Sequence, residues 1–284
     1  MNMQIWTVNR LKSIFERNGW SADGVMNDEI QKRFNTIGEI LDQITVEEAE
    51  LVLTLLQDFK KIDYLDYIAY LQTAFFSVPQ GTFLNVRSVA VGPIVSKKDR
   101  EKGKNKSGLS LPYSFINLIL KKNLPNGGVA YRDFVYIDNF INNNYDNSDL
   151  VIVLDDYIGT GDTALEFLEE FESRSPGVSQ KLIVISVFAH SIGIDRLREE
   201  GYRIFFGDTQ RRGISDSTRL SNVDVSLDLM RNIENNLKVD PDFELGYGRS
   251  EGLVSLVRTP NNTFPVFWIA SKKDKTSWPA PFPR

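Results

Sequence analysis

The sequence predicts an α/β protein: a parallel sheet covered by helices, preceded by an all-helical N-terminal segment. Three observations carry this. Residues 1–80 place their apolar side chains at helical spacing. From Gly81 onward, short apolar runs alternate with helical stripes. One of those runs, Val151-Ile152-Val153-Leu154, passes through Asp155-Asp156 into a glycine and threonine loop that opens a helix. Strand–helix alternation of this kind builds a parallel sheet with helices on its faces.

The N-terminal helices follow from spacing and caps. Met3 to Asn18 sets Ile5, Val8, Leu11 and Phe15 on one face and stops at Gly19; Asp28 to Leu41 repeats the pattern through Ile30, Phe34, Ile37 and Leu41. Thr45-Val46-Glu47-Glu48 is a capping box that starts a third helix, with Leu51, Val52, Leu55, Leu56 and Phe59 on its inner side. Asp63 to Phe76 gives a fourth, ended by Pro79-Gln80-Gly81. Residues 1–80 are therefore expected to be one helical segment that packs on the next domain or binds a partner protein, with residues 81–284 as that domain. The segment carries 12 acidic and 7 basic side chains, which accounts for the whole formal net charge of −5.

In the second part, Phe83 to Pro93 is expected as a strand and Leu109 to Leu120 as a helix. A second strand is centred on Phe134-Val135-Tyr136-Ile137. The run at Val151 is next, then a helix from Ala164 to Phe171 with Leu165, Leu168 and Phe171 on one side. Lys181 to Ala189 is a further buried strand, Ile192 to Glu200 a helix and Tyr202 to Gly207 a strand. Gly246 to Trp268 contains turn signals and two strand-like runs, expected to complete the sheet or close the site.

Ligands of open parallel sheets sit outside the carboxyl ends of the strands, where the chain places Asp155-Asp156-Tyr157-Ile158-Gly159-Thr160-Gly161-Asp162-Thr163. Free N–H groups at a helix start attract phosphate, threonine hydroxyls add donors, and carboxylates accept sugar hydroxyls or hold a metal. This run resembles the signature of type I phosphoribosyltransferases, and the resemblance implies a phosphoribosyltransferase-like, Rossmann-like domain. It further implies that Asp155 and Asp156 take the ribose 2′ and 3′ hydroxyls. Gly159, Thr160, Gly161, Asp162 and Thr163 would wrap the 5-phosphate of phosphoribosyl pyrophosphate, with Mg²⁺ bridging pyrophosphate and ribose. The sequence departs from the pattern at Gly159, where those enzymes often carry a threonine. Residues 132–140 stand where a base-binding hood is expected and match no family pattern.

Two further carboxyl-end positions are candidates. The loop 97–108 holds six basic and two acidic side chains; its end, Lys106-Ser107-Gly108, resembles the pyrophosphate-binding element after the first strand of those enzymes. The alternative is a solvated charged loop. His190, the only histidine, ends a strand, where it can donate to a phosphate or shuttle a proton, or simply cap the next helix.

A second resemblance rests on Arg211-Arg212-Gly213-Ile214-Ser215-Asp216, Gly246-Tyr247-Gly248-Arg249-Ser250-Glu251-Gly252 and the tail Trp278-Pro279-Ala280-Pro281-Phe282-Pro283-Arg284, taken with the acidic pair. Together these are similar to phosphoribosyltransferase-like effectors of bacterial conflict and anti-phage systems, some encoded beside retron reverse transcriptases. Three function classes follow: a Mg²⁺-dependent phosphoribosyl transfer or cleavage enzyme, a nucleotide sensor without turnover, and an effector held inactive by a partner docked on residues 1–80.

Composition removes other classes. With no cysteine there are no disulfides, thiolate metal sites or cysteine nucleophiles. No basic stripe points to nucleic acid, no apolar run is long enough for a membrane span, and a cytoplasmic location is expected.

Overall fold

The computed structural model describes residues 5–21, 25–98, 110–124, 130–133, 136–137, 140–141, 147–270 and 278–284. In chain order its elements are helices α1 (Ile5–Arg17), α2 (Asp28–Leu41) and α3 (Val46–Leu56), strand β1 (Lys60–Lys61), helix α4 (Tyr67–Phe76), strand β2 (Ser88–Pro93) and helix α5 (Leu111–Phe115). Strands β3 (Ala130–Asp133), β4 (Tyr136–Ile137), β5 (Phe140–Ile141) and β6 (Leu150–Ile158) follow. After them come α6 (Asp162–Arg174), β7 (Leu182–His190), α7 (Ser191–Glu199), β8 (Ile204–Gln210), α8 (Val223–Asn236) and β9 (Val254–Ser255).

The chain divides into two compact units, Met1–Ile62 with Gln210–Arg284, and Asp63–Thr209. The sequence places a single boundary at residue 80, and the structure parts the chain elsewhere. One reason lies in the tail. Phe282 stacks on Phe59 with ring centroids 4.2 Å apart and meets Trp20 edge-on at 5.6 Å. Phe15, Phe34, Ile37, Val52 and Leu56 share one core with Met230, Ile233, Phe264 and Phe267. Residues 210–284 thus complete the apolar faces of α1–α3. The other reason is α4, which covers the sheet: a Cβ on Gly207 of β8 would stand 2.4 Å from the Tyr70 carbonyl oxygen. The segment expected as one helical block is therefore shared between two cores.

In the second unit, β3, β2, β6, β7 and β8 lie side by side in that order. β2 pairs in parallel with β3 and β6, and β6 pairs in parallel with β7. Every residue of β7 and the first five of β6 are buried, as expected for strands covered on both faces. α6 and α7 cover one face through Leu165, Phe167, Leu168, Phe171, Ile194 and Leu197, packed on Val151, Val153 and Val184.

Several local expectations are corrected. The strand expected from Phe83 begins at Ser88, because Gln80–Phe83 is a 3-10 turn. The second sheet strand is β3, earlier than the expected centre; Tyr136–Ile137 instead pairs antiparallel with Phe140–Ile141 in a separate ribbon. α5 continues through a π-helical turn, Ile116–Leu120. Gly246 to Val257 does not extend the large sheet: β9 pairs in parallel with β1. α8 is a further helix outside the expected set: Asn222 caps it, and Met230 and Ile233 recur on its inner side.

Candidate functional site

The site grows from the order of the large sheet. Counted along the chain, its strands lie 2-1-3-4-5, so the direction of winding reverses between β2 and β6. Such a reversal opens a crevice at the carboxyl ends of the two strands. The Ile94 N–H donates to the Leu154 carbonyl at 2.7 Å, keeping β2 beside β6 up to the acidic pair.

Asp155 and Asp156 are the sixth and seventh residues of β6 and are half-buried. Strand alternation puts Asp155 on the face shared with Val151 and Val153, and Asp156 on the opposite face. One Asp155 oxygen accepts the Asp156 N–H at 2.9 Å. Across the ladder Asp155 is in register with Ser186 of β7. That serine is fully buried and donates to the Phe188 carbonyl at 2.7 Å, so it supports the sheet end.

The loop beyond the strand has a strict shape. Gly161 has φ +86° and stands at the N-cap of α6, with no side-chain cap bond among the described residues. A side chain is strained in this conformation, and the uncapped start leaves N–H groups for a ligand. The loop rests on the first turn of α7: a Cβ on Gly193 would stand 2.4 Å from the Gly159 oxygen and 3.1 Å from the Gly161 nitrogen. One turn on, Arg196 donates to the Thr160 carbonyl at 2.8 Å and pairs with Asp162. The Thr160 hydroxyl donates to the other Asp162 oxygen at 2.7 Å.

Sequence reasoning missed Gly193 and Arg196. The available signal was a glycine inside a helix, which costs about 1 kcal/mol against alanine and so marks a close approach.

The structure thus gathers Asp155, Asp156, Gly159, Thr160, Gly161, Asp162 and Thr163 at one strand end and helix start. His190 is fully buried, and its Nδ1 accepts the Ile192 N–H at 3.2 Å as the N-cap of α7. Of the two roles open to it in the sequence, this is the capping one. Lys106, Ser107 and Gly108 lie outside the described residues.

The chain matches the family model PRTase-CE, PRTase being phosphoribosyltransferase, over residues 40–284. It belongs to this family. The match takes in the whole candidate site and leaves out α1 and most of α2. Among solved structures, orotate phosphoribosyltransferase from Aeropyrum pernix is 15% identical with a TM-score of 0.33, over 61% of this chain and 77% of that one. The Helicobacter pylori xanthine-guanine-hypoxanthine phosphoribosyltransferase is 14% identical with a TM-score of 0.28, over 46% of this chain and 77% of that one. Likeness at this level adds nothing to the family match. No curated protein matches the chain.

The donor set of this PRTase-CE site bears on a metal. Among the described residues no group of three or more histidine, cysteine, aspartate or glutamate side chains is placed to hold an ion. Asp155 and Asp156 face opposite sides of β6, so a single one of these carboxylates, with ligand phosphates and water, is the donor set that suits Mg²⁺. No helix among the described residues is long and apolar enough to cross a membrane.

Proposed function

We propose that this PRTase-CE protein binds phosphoribosyl pyrophosphate or a related ribose 5-phosphate nucleotide and catalyses phosphoribosyl transfer or cleavage. The observation that carries the reading is the acidic pair at the carboxyl end of β6, at the winding reversal, followed at once by an uncapped helix start.

The roles follow from chemistry. Asp155 and Asp156 accept the ribose hydroxyls and orient the sugar, and one or the other would hold Mg²⁺. The ion would supply charge neutralisation to a departing pyrophosphate. The backbone from Gly159 to Thr163 holds the 5-phosphate at the helix start, and Lys106, Ser107 and Gly108 steady the pyrophosphate. With both ends of the ligand fixed, C1 can develop oxocarbenium character in a set position, where positioning and fixed dipoles supply most of the acceleration.

A second reading, binding without turnover, is favoured by one observation: Gly159 stands where type I phosphoribosyltransferases often carry a threonine. An anti-phage effector role extends the first reading by resemblance, a protein partner on residues 1–80 extends it by the acidity of that helical segment, and a cytoplasmic location by the lack of cysteine.

Calorimetric titration of the full chain with phosphoribosyl pyrophosphate and Mg²⁺, followed by chromatography of the ligand, tests the proposal. Pyrophosphate release with the phosphoribosyl group passing to water supports a cleaving enzyme, release only once a nucleobase or amine acceptor is added supports a transferase, and ligand left intact with every acceptor supports the sensor. Absence of binding refutes both.

A further inference from the structure

The loop that would receive a phosphate already contains an anion. Asp162 is the first residue of α6 and sits among the N–H groups that attract negative charge. Its carboxylate takes the Thr160 hydroxyl on one oxygen and Arg196 on the other. The Arg196 guanidinium also binds the Thr160 carbonyl, so one cation fixes both the loop backbone and the internal anion. The carboxylate and the guanidinium are 46% and 43% exposed, so the pair stands at the open side of the loop.

We propose that Asp162 and Arg196 form a charge-balancing latch that sets the phosphate affinity of the loop and restrains it. This rests on the reading of residues 159–163 as a phosphate loop. A phosphomonoester entering there needs donors, and Thr160 supplies one only after releasing Asp162. The entering dianion also meets the Asp162 charge, which Arg196 offsets. Asp162 therefore opposes the ligand, contrary to the anchoring role that the resemblance assigns to it, while Arg196 favours the ligand without being in the loop. Such a latch selects ligands that bring a cation with their phosphates or make compensating contacts at the ribose. A bare phosphate has neither.

The two residues make opposite predictions, which a general loss of structure cannot imitate. Removing the internal anion leaves Arg196 as an uncompensated cation. Removing the cation takes the Arg196 charge away from Asp162 and also frees the Thr160 carbonyl. Removing both restores the balance. For charges a few ångströms apart and half exposed, each single change is expected to move affinity by about tenfold, well below the buried limit.

The test is calorimetric titration of the full chain with ribose 5-phosphate at low salt, on wild type, Asp162→Asn, Arg196→Gln and the double variant, with thermal melts of each. The expected result is about tenfold tighter binding for Asp162→Asn, about tenfold weaker binding for Arg196→Gln, and near wild-type affinity for the double variant. Asp162→Gly, which removes the carboxylate by a different route, is expected to bind as tightly as Asp162→Asn. Binding by Asp162→Asn where wild type shows none also supports the latch. Wild-type binding that both Asp162 variants leave unchanged or weaken overturns the latch and leaves the phosphate loop standing. No binding by any folded variant overturns the latch together with the ribose 5-phosphate reading.

Discussion

Gly193 of α7 lies so close to Gly159 of the loop that a methyl group at 193 would stand 2.4 Å from the Gly159 carbonyl oxygen. Two backbones touch here, and neither can retreat easily. Behind Gly159 the chain returns to β6, and behind Gly193 the helix is anchored by Ile194 and Leu197 in the core. The loop's shape is thus imposed by a helix that follows it in sequence by some thirty residues.

Gly193→Ala is therefore expected to push the loop from its place. Overpacking of this kind costs about 1–3 kcal/mol, visible as a lower melting temperature. Displaced N–H groups should also weaken ribose 5-phosphate binding by about tenfold or more. A variant that melts and binds like wild type would show that the loop does not depend on this contact.

Asp155 and Asp156 test the ribose end. Both are half-buried at the strand end, and asparagine keeps their shape, so Asp155→Asn with Asp156→Asn should leave the fold intact. Ribose 5-phosphate binding should be lost, because amides cannot match two carboxylates as acceptors of sugar hydroxyls or as metal donors. Unchanged binding would remove both from the site.

Much of this was legible in the sequence because it is local. The capping box at Thr45 forms as expected, with Glu48 N–H donating to the Thr45 hydroxyl at 3.3 Å and Thr45 N–H donating to the Glu48 carboxylate at 2.9 Å. The run from Val151 to Leu154 becomes the buried strand that its composition requires, and Gly161 takes the positive φ of a tight loop. What escaped is non-local. Nothing near Phe282 in the sequence shows that its ring stacks on Phe59, and nothing near Gly193 shows that Gly159 presses on it. The two-residue strands β1 and β9 carry no pattern of their own and exist only as each other's partners. One practical consequence concerns the partner question. Deleting residues 1–80 would remove Leu11, Phe15, Val52 and Leu56 from the first core and α4 from the sheet, so exposed charges on α1 and α2 are the better targets.

His190 is expected to act on stability alone. Its Nδ1 caps α7 and its ring is fully buried. In His190→Asn the amide oxygen can take over the cap, and the smaller side chain leaves unfilled volume costing about 1–3 kcal/mol. The melting temperature should fall while ligand affinity and any pH profile of turnover stay as in wild type. A shifted pH profile would instead assign His190 a proton-transfer role.

The last prediction concerns pH. Glu234 of α8 is buried; one oxygen accepts the Leu245 N–H at 2.8 Å and the other has no partner among the described residues. Leu245 and Gly246 both have positive φ, +57° and +80°, so this hydrogen bond holds a strained turn in place. Burial, aided by the nearby Glu244 charge and opposed by the Leu245 N–H and Arg231, pushes the Glu234 carboxyl up to about 8. The sign follows from proton binding. Between its unfolded value of 4.5 and about 8, the folded chain holds this proton more often than the unfolded chain, so stability falls as pH rises through that window and levels off above it. Glu234→Gln stays neutral and keeps an acceptor for Leu245. The melting temperature of wild type relative to Glu234→Gln should therefore fall steadily from about pH 5 to about pH 8 and then hold constant. Parallel curves across that range would show that the carboxyl is already ionised in the folded chain at pH 5.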